Sequence, residues 1–437
     1  MKTIVQVTGK SDTNLWLLKN LSSKLQGDYF EIQDSIVNQK LHATFCSEKD
    51  FDLEKDILNH KSEPLDKVPF MPVNRLISED EVNDILETLS NVLPTGQYTS
   101  GPYLTEFEDV LSSYLQKKYV IATSSGTDAL MISLLASGLK QGDEVIMPAN
   151  SFAATENAVL ATGGVPVYVD IHPHTYCIDS NRIESAITGK TKFILPVHIY
   201  GKHADMLSIR NIADQFNLKV VEDACQAIGI ANLGEKADIT TLSFNPYKNI
   251  GVCGKGGAIA TDNKELAEKC IQYSYHGFAA GKKNVKAIDY GLNSKMDNLQ
   301  AAIGLQRIKY LSLNNFKRLL LANRYITKLS TLQNEGLIEI PELNGDNVWH
   351  LFPIKIKNDR RGHVMKAMKE KFNVETDLFY PVLAHKQDTD LVKVNYQEVH
   401  LPKTELAHRE IVHLPLYPDL AVEEQNLVLE GLYHVIK

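Results

Sequence analysis

The chain has 437 residues, 43% hydrophobic and 23% charged, which is ordinary for a globular protein and enough for more than one domain. A formal net charge of -8 and a pI near 6.0 argue against a nucleic-acid or anionic-membrane surface, so an anionic substrate must be met by local basic groups. Cys46, Cys177, Cys225, Cys253 and Cys270 are odd in number and too irregularly spaced for a disulfide framework or a zinc site, and read as reduced thiols of a cytoplasmic protein.

The first residues, Met1 to Thr8, lack the apolar core of a signal peptide, and no apolar run approaches the about 18 residues of a membrane helix. Up to about Lys67 the chain reads as an extension in which Leu15, Leu18, Leu21 and Leu25 recur at helical intervals, a stripe expected to pack on the main body. From Pro69 to Leu313 helical and strand-like stretches alternate. The spacing predicts a helix over Asp128–Ala136 and strands at Val145–Pro148, Pro166–Asp170, Phe193–Val197 and Lys219–Val221, an alternation that implies a sheet covered by helices on both faces. Beyond Asn314 a helix over Asn315–Tyr325 leads to a strand at Leu351–Ile356 in a mixed region. The expected division is an extension over 1–68, a large domain over 69–313 and a smaller domain over 314–437. Repeats and low-complexity tracts are absent from the sequence.

Lys248, in Leu242-Ser243-Phe244-Asn245-Pro246-Tyr247-Lys248-Asn249, carries most of the chemical information. An aldehyde cofactor such as pyridoxal 5'-phosphate (PLP) needs a lysine for a Schiff base, a carboxylate for its pyridine nitrogen and backbone donors for its phosphate. Lys219 to Gln226 reads as a buried strand ending in polar residues, where ligands of open α/β sheets sit. Asp223 is therefore the candidate for the ring nitrogen, and Gln226, three residues on, for the phenolic oxygen. A strand-end Asp is also a common helix cap. Ser124-Ser125-Gly126-Thr127, just before a helix, offers free N–H groups to a phosphate, although such a turn is equally an ordinary cap. Ser243 adds a hydroxyl, and Phe152 could stack on the ring or simply belong to the core.

Rival signatures do not occur. The glycines of Gly251 to Gly257 do not fit a dinucleotide fingerprint, and no Walker A lysine, His-Glu-x-x-His or Gly-x-Ser-x-Gly is found. His172, His174 and His203 are too loosely placed to suggest a metal, while His198 and His276 read as structural hydrogen-bonding residues.

Ser125-Gly126-Thr127, Gly142 to Pro148, Pro196 to Gly201, Glu222 to Gln226, Ser243-Phe244 with Lys248-Asn249, and Gly291 to Asp297 follow one another as in the DegT/StrS type of sugar aminotransferase. The chain resembles that family from about Val68 to its C-terminus. The resemblance implies an α/β fold type I PLP-dependent transferase, aspartate aminotransferase-like, with a mostly parallel central sheet and a smaller C-terminal α+β domain, working as a homodimer. It also implies that Lys248 is the Schiff-base lysine, that Asp223 holds the ring nitrogen, Gln226 the phenolate and Phe152 the ring face, and that Gly126, Thr127 and Ser243 hold the phosphate. Asn293 and Lys295 match a segment that reaches the neighbouring subunit's cofactor, so the active site would be shared.

Further stretches, among them Asp34 to Asn38, Ser274 to Phe278, Val348 to Pro353 and His413 to Pro418, resemble members that transfer the amino group of L-glutamate to 3-oxo-glucose 6-phosphate, giving kanosamine 6-phosphate for antibiotic biosynthesis. Two departures stand out: Lys295 where many relatives have Arg, and Phe379 where many nucleotide-sugar enzymes have His, which favours a sugar phosphate. The alternatives are a nucleotide-linked keto sugar as acceptor, a PLP-dependent dehydratase, or a PLP-binding regulator without turnover.

Overall fold

The computed structural model describes the backbone of three N-terminal strands and residues 67–437, apart from 280, 283, 344, 345 and 397. Strands β1 (Lys2–Thr8), β2 (Tyr29–Val37) and β3 (Lys40–Cys46) form an antiparallel sheet with β3 in the middle. The leucine stripe from Leu15 to Leu25 lies outside the described residues.

Short, mostly buried runs then build a central sheet from β4 (Tyr119–Thr123), β5 (Glu144–Pro148), β6 (Val165–Val169), β7 (Thr191–Ile194), β8 (Lys219–Asp223), β9 (Ile239–Ser243) and β10 (Gly257–Thr261). Their order is β4-β10-β9-β8-β7-β5-β6. Only β10 runs antiparallel to its neighbours, so β4, β5, β8 and β9 all end at the same edge. Side chains of successive strand residues enter different cores, because a pleated strand points them to opposite faces. Val120 and Ala122 pack in one core and Ile121 in another; Ala258 and Ala260 are likewise separated from Ile259. Both faces are therefore covered, as alternating helix and strand patterns imply.

The covering helices are α1 (Glu79–Val92), α2 (Pro102–Leu115), α3 (Gly126–Ala136), α4 (Ala153–Ala161), α5 (Met206–Phe216), α6 (Lys264–Ser274) and α7 (Asn298–Asn334). Ser78 and Glu81 close α1 with a capping box. Helix α7 runs unbroken across the expected boundary at Leu313 and Asn314, and its partners change there. Ala301 to Leu311 pack with the central-sheet core and Phe316 to Leu332 with a C-terminal core. That last core contains β11 (Ile338–Glu339), β12 (Phe352–Ile356) and β13 (Ile411–Leu414), an antiparallel sheet centred on β12. Helices α8 (Arg361–Phe372), α9 (Asp390–Asn395), α10 (Pro402–Glu410) and α11 (Val422–Ile436) complete the region.

One segment sits differently from its place in the sequence. Val68 and Leu76 belong to the C-terminal core, Val68 bridges Val374, and Arg75 meets Glu424 at 2.7 Å. Among the described residues no helix is long and apolar enough to cross a membrane.

Candidate active site

The common edge of β4, β5, β8 and β9 opens into a cleft of about 1140 Å³. Each strand delivers its polar residues there because the apolar run stops where the sheet stops. Asp223 closes β8, Ser243 closes β9, Ser125 lies two residues past the end of β4, and Phe152 follows β5 at the start of α4. Lys248 reaches the same cleft from the turn after β9. Its burial outweighs the attraction of the Cys225 thiol and Asp223 and pushes the ammonium pKa below the ordinary lysine value, so the neutral amine is easier to reach.

Asp223 is buried, accepting from the Thr155 hydroxyl at 2.8 Å and from the Cys225 N–H at 3.1 Å. Two donors fix the orientation of the carboxylate. The amide of Gln226 is equally constrained: its Oε1 accepts from the Tyr200 N–H at 2.7 Å, and its Nε2 donates to the Tyr380 hydroxyl at 3.0 Å. Tyr200 adopts a left-handed φ of 61° to make this contact, and its own hydroxyl donates to the Phe379 carbonyl at 2.7 Å.

Ser125 is the N-cap of α3, its hydroxyl accepting from the Asp128 N–H at 3.1 Å. The cap and anion readings are compatible, since capping consumes the Asp128 donor and leaves the earlier N–H groups of Gly126 and Thr127 at the helix start. Gly126 is required by space: a Cβ there would lie 2.7 Å from Ser243 Cβ and 3.0 Å from Cys225 Sγ. A Cβ at Gly257 would meet the Ser125 carbonyl carbon at 2.5 Å. The result is a tight cradle with backbone donors, a hydroxyl and a lysine, whose chemistry fits a phosphorylated aldehyde cofactor. Phe152 is 54% exposed, with its ring 5.4 Å from that of Tyr380, and so faces the cleft rather than the core.

Lys295 lines this chain's own cleft, donates to the Ser100 hydroxyl at 2.6 Å and lies over the Tyr275 ring at 5.3 Å. Asn293 is exposed, bridges Tyr275, and does not join the cleft lining. Phe379 and Phe70 line the cleft with their rings 5.7 Å apart, and the Phe379 ring lies 5.5 Å from that of the buried His413. Sequence reasoning missed Thr155, Tyr380 and His350, which the fold brings to the same place. Away from the cleft, His198 pairs with Glu222 at 2.8 Å and accepts from the Ala204 N–H at 3.1 Å, while Thr240 donates to Glu222 at 2.6 Å. His203 stands beside them, its ring 4.7 Å from that of His198 and its Nε2 buried without a hydrogen-bond partner among the described residues.

A family model described as the DegT/DnrJ/EryC1/StrS aminotransferase family matches residues 79–433, and the chain belongs to that family. A second model, described as the N-terminal domain of the NTD biosynthesis operon protein NtdA, matches residues 3–69. The chain is 63% identical over 438 aligned residues to the 3-oxo-glucose-6-phosphate:glutamate aminotransferase of Bacillus subtilis (strain 168), covering 100% of this chain and 99% of that relative. The crystal structure of NtdA from Bacillus subtilis with bound cofactor PMP superposes with a TM-score of 0.89 at 62% identity, covering 98% and 99% of the two chains. DesV of S. venezuelae superposes with a TM-score of 0.78 at 32% identity, covering 85% and 99%.

Proposed function

We propose that this aminotransferase moves the amino group of L-glutamate to 3-oxo-D-glucose 6-phosphate, giving kanosamine 6-phosphate, with PLP as its cofactor. What supports the reading most is the arrival at one cleft of Lys248, Asp223, Gln226, Ser243 and the Gly126 cradle from three strand ends, together with full-length similarity to a glutamate-dependent enzyme of that acceptor.

When bound, PLP supplies an electron sink that stabilises negative charge at the carbon losing its proton. The residues of the chain do the rest. Lys248 would hold the cofactor through its ε-amine and would move the proton at the substrate carbon, a task suited to an amine whose pKa burial has lowered. Asp223, held by Thr155 and the Cys225 N–H, keeps the ring nitrogen protonated. Gln226 turns its remaining Nε2 hydrogen to the phenolic oxygen, Phe152 covers one ring face, and Ser125, Gly126, Thr127 and Ser243 hold the phosphate. In a homodimer Asn293 and Lys295 would reach the partner subunit's cofactor as the family's matching segment does, and Phe379, standing where many nucleotide-sugar members have His, supports a sugar phosphate over a nucleotide-linked acceptor. In this reading residues 69–313 form the cofactor domain and 314–437 the small domain of a cytoplasmic enzyme.

The test is an assay of purified protein with glutamate and a panel of keto sugars, reading 2-oxoglutarate, with 3-oxo-glucose 6-phosphate supplied by a coupled dehydrogenase. Losing the phosphate should cost kcat/KM about 2–4 kcal/mol, the scale for such charge-assisted contacts. Faster turnover of a nucleotide-linked keto sugar, or equal turnover of the unphosphorylated ketone, would overturn the acceptor. Normal turnover by Lys248→Ala would overturn the site.

A further inference from the structure

Tyr380 lines the cleft and has no task in the mechanism above. Its hydroxyl lies 3.0 Å from Nε2 of Gln226, and its ring stands 5.4 Å from that of Phe152 and 5.3 Å from that of Phe379. The direction of the contact with Gln226 is fixed from the other end of the amide. The Tyr200 N–H, which can only donate, meets that amide at 2.7 Å, so the atom facing it is Oε1 and the atom facing Tyr380 is Nε2. Because Nε2 can only donate, the Tyr380 oxygen accepts and keeps its own hydrogen for another partner. Among the described residues no acceptor takes that hydrogen. Tyr200 also anchors the backbone on this side, its hydroxyl donating to the Phe379 carbonyl at 2.7 Å, so one buried residue orients both the amide and the chain that carries Tyr380.

The cleft lacks the usual group for a carboxylate. Among the described residues its lining holds no arginine, and its lysines are Lys248, Lys255 and Lys295. Two unlike substrates must nevertheless use the same place in turn. The reacting carbon of glutamate bears a carboxylate, while that of a 3-oxo sugar is flanked by carbons bearing hydroxyls. A phenol suits both, since an uncharged O–H donates to either oxygen, whereas a guanidinium strongly favours the anion. Its place is also suitable. In PLP the phenolic oxygen and the reacting carbon stand on adjacent ring atoms, so a hydroxyl one hydrogen bond beyond Gln226 is on the side where substrate joins.

We propose that Tyr380 is a further substrate-binding residue, whose hydroxyl donates to an oxygen beside the reacting carbon. That oxygen belongs to the α-carboxylate of the amino donor in one half of the reaction and to a hydroxyl of the keto sugar in the other. The proposal rests on the reading of the cleft given above, with Gln226 at the phenolic oxygen.

Tyr380→Phe keeps the ring and removes only the oxygen. Rapid mixing of aldehyde-form enzyme with glutamate, and of amine-form enzyme with the keto sugar, separates the two halves, each followed by cofactor absorbance. A bond to a carboxylate is worth more than one to a neutral hydroxyl. The variant is therefore expected to lose about 10- to 150-fold in the second-order rate constant with glutamate and only about 2- to 12-fold with the sugar. Cofactor affinity, Tm and the pH titration of the bound cofactor's absorbance are expected to stay as in the wild type. Titration with glutarate, a dicarboxylate with no amine to transfer, reads binding alone and should weaken in the variant as well. Wild-type rates and glutarate affinity in the variant would overturn the proposal. So would a shifted absorbance titration with both halves intact, which would place the hydroxyl on the phenolic oxygen, or equal losses in both halves with a lowered Tm, which would mark a packing role. If the wild-type enzyme does not aminate 3-oxo-glucose 6-phosphate, the acceptor assignment falls, while the glutamate half and the glutarate titration still decide the role of Tyr380.

Discussion

Gly126→Ala tests the phosphate cradle without touching a side chain that does chemistry. The added Cβ would sit 2.7 Å from Ser243 Cβ, 3.0 Å from Cys225 Sγ and 3.1 Å from Ser243 Oγ. Carbon atoms rest at about 3.5–4.0 Å, so roughly 1 Å of overlap must be relieved. Ser243 ends β9, whose neighbours on both sides are sheet strands, and Cys225 follows β8, so neither can swing aside freely. Overpacking of this kind costs about 1–3 kcal/mol, which is roughly a 5- to 150-fold loss if it falls on cofactor binding. The assay is a cofactor titration followed by absorbance, with Tm measured on cofactor-free protein. Adding Ser243→Gly removes the nearest clashing atoms and is expected to restore Tm, yet not affinity, because the proposed phosphate hydroxyl goes with them. Unchanged Tm and affinity in Gly126→Ala would refute the close packing on which the cradle depends.

Thr155→Val removes the shorter of the two bonds to Asp223 and is expected to lower turnover by roughly tenfold or more, since a bond to a charged group is worth about 1.5–3 kcal/mol; an unchanged rate would separate Asp223 from the chemistry. Lys248→Ala and Lys295→Ala, each inactive alone, are expected to regain activity on mixing if sites are shared, because one site of the mixed dimer is then intact; persistent inactivity after proven subunit exchange counts against a shared site. Arg307→Met strands the buried Glu81 carboxylate and is expected to cost about 3–5 kcal/mol in denaturant unfolding. Burial raises the Glu405 pKa, but hydrogen bonds from His385, the Leu401 N–H and Lys386 outweigh it and bring it down to about 2. A depressed carboxylate stabilises above its unfolded value of 4.5 and loses that contribution as pH falls toward 2. Glu405→Gln is therefore expected to lower Tm at neutral pH and to converge with the wild type in acid; a constant gap would exclude the linkage.

How much could be read in advance depended on whether the determinant was local. The run ending at Asp223 was legible because an apolar strand that stops in acidic residues carries both its burial and its ligand end in consecutive positions. Strand β10 was not, since Gly257-Ala258-Ile259-Ala260-Thr261 has weak strand propensity and is held by pairing with β4 and β9 on either side. That one helix runs through the expected boundary at Asn314 was not legible, because helical spacing says nothing about which core each turn enters. Phe152 shows the limit for a single side chain: a lone aromatic after a strand fits core and cleft equally, and only the surrounding chain decides.

His350 shows the same limit for a network. The hydrogen on its Nδ1 is set by two backbone carbonyls, at Ile228 and Val348, acting through Asn315 and Asn249. No spacing in the sequence links those positions, and each asparagine alone looks like an ordinary polar residue. The direction of the network becomes readable only when every donor and acceptor is counted together, because a carbonyl at one end forces each amide in turn. The chemistry of the cleft is thus written partly in motifs and partly in hydrogen-bond polarity.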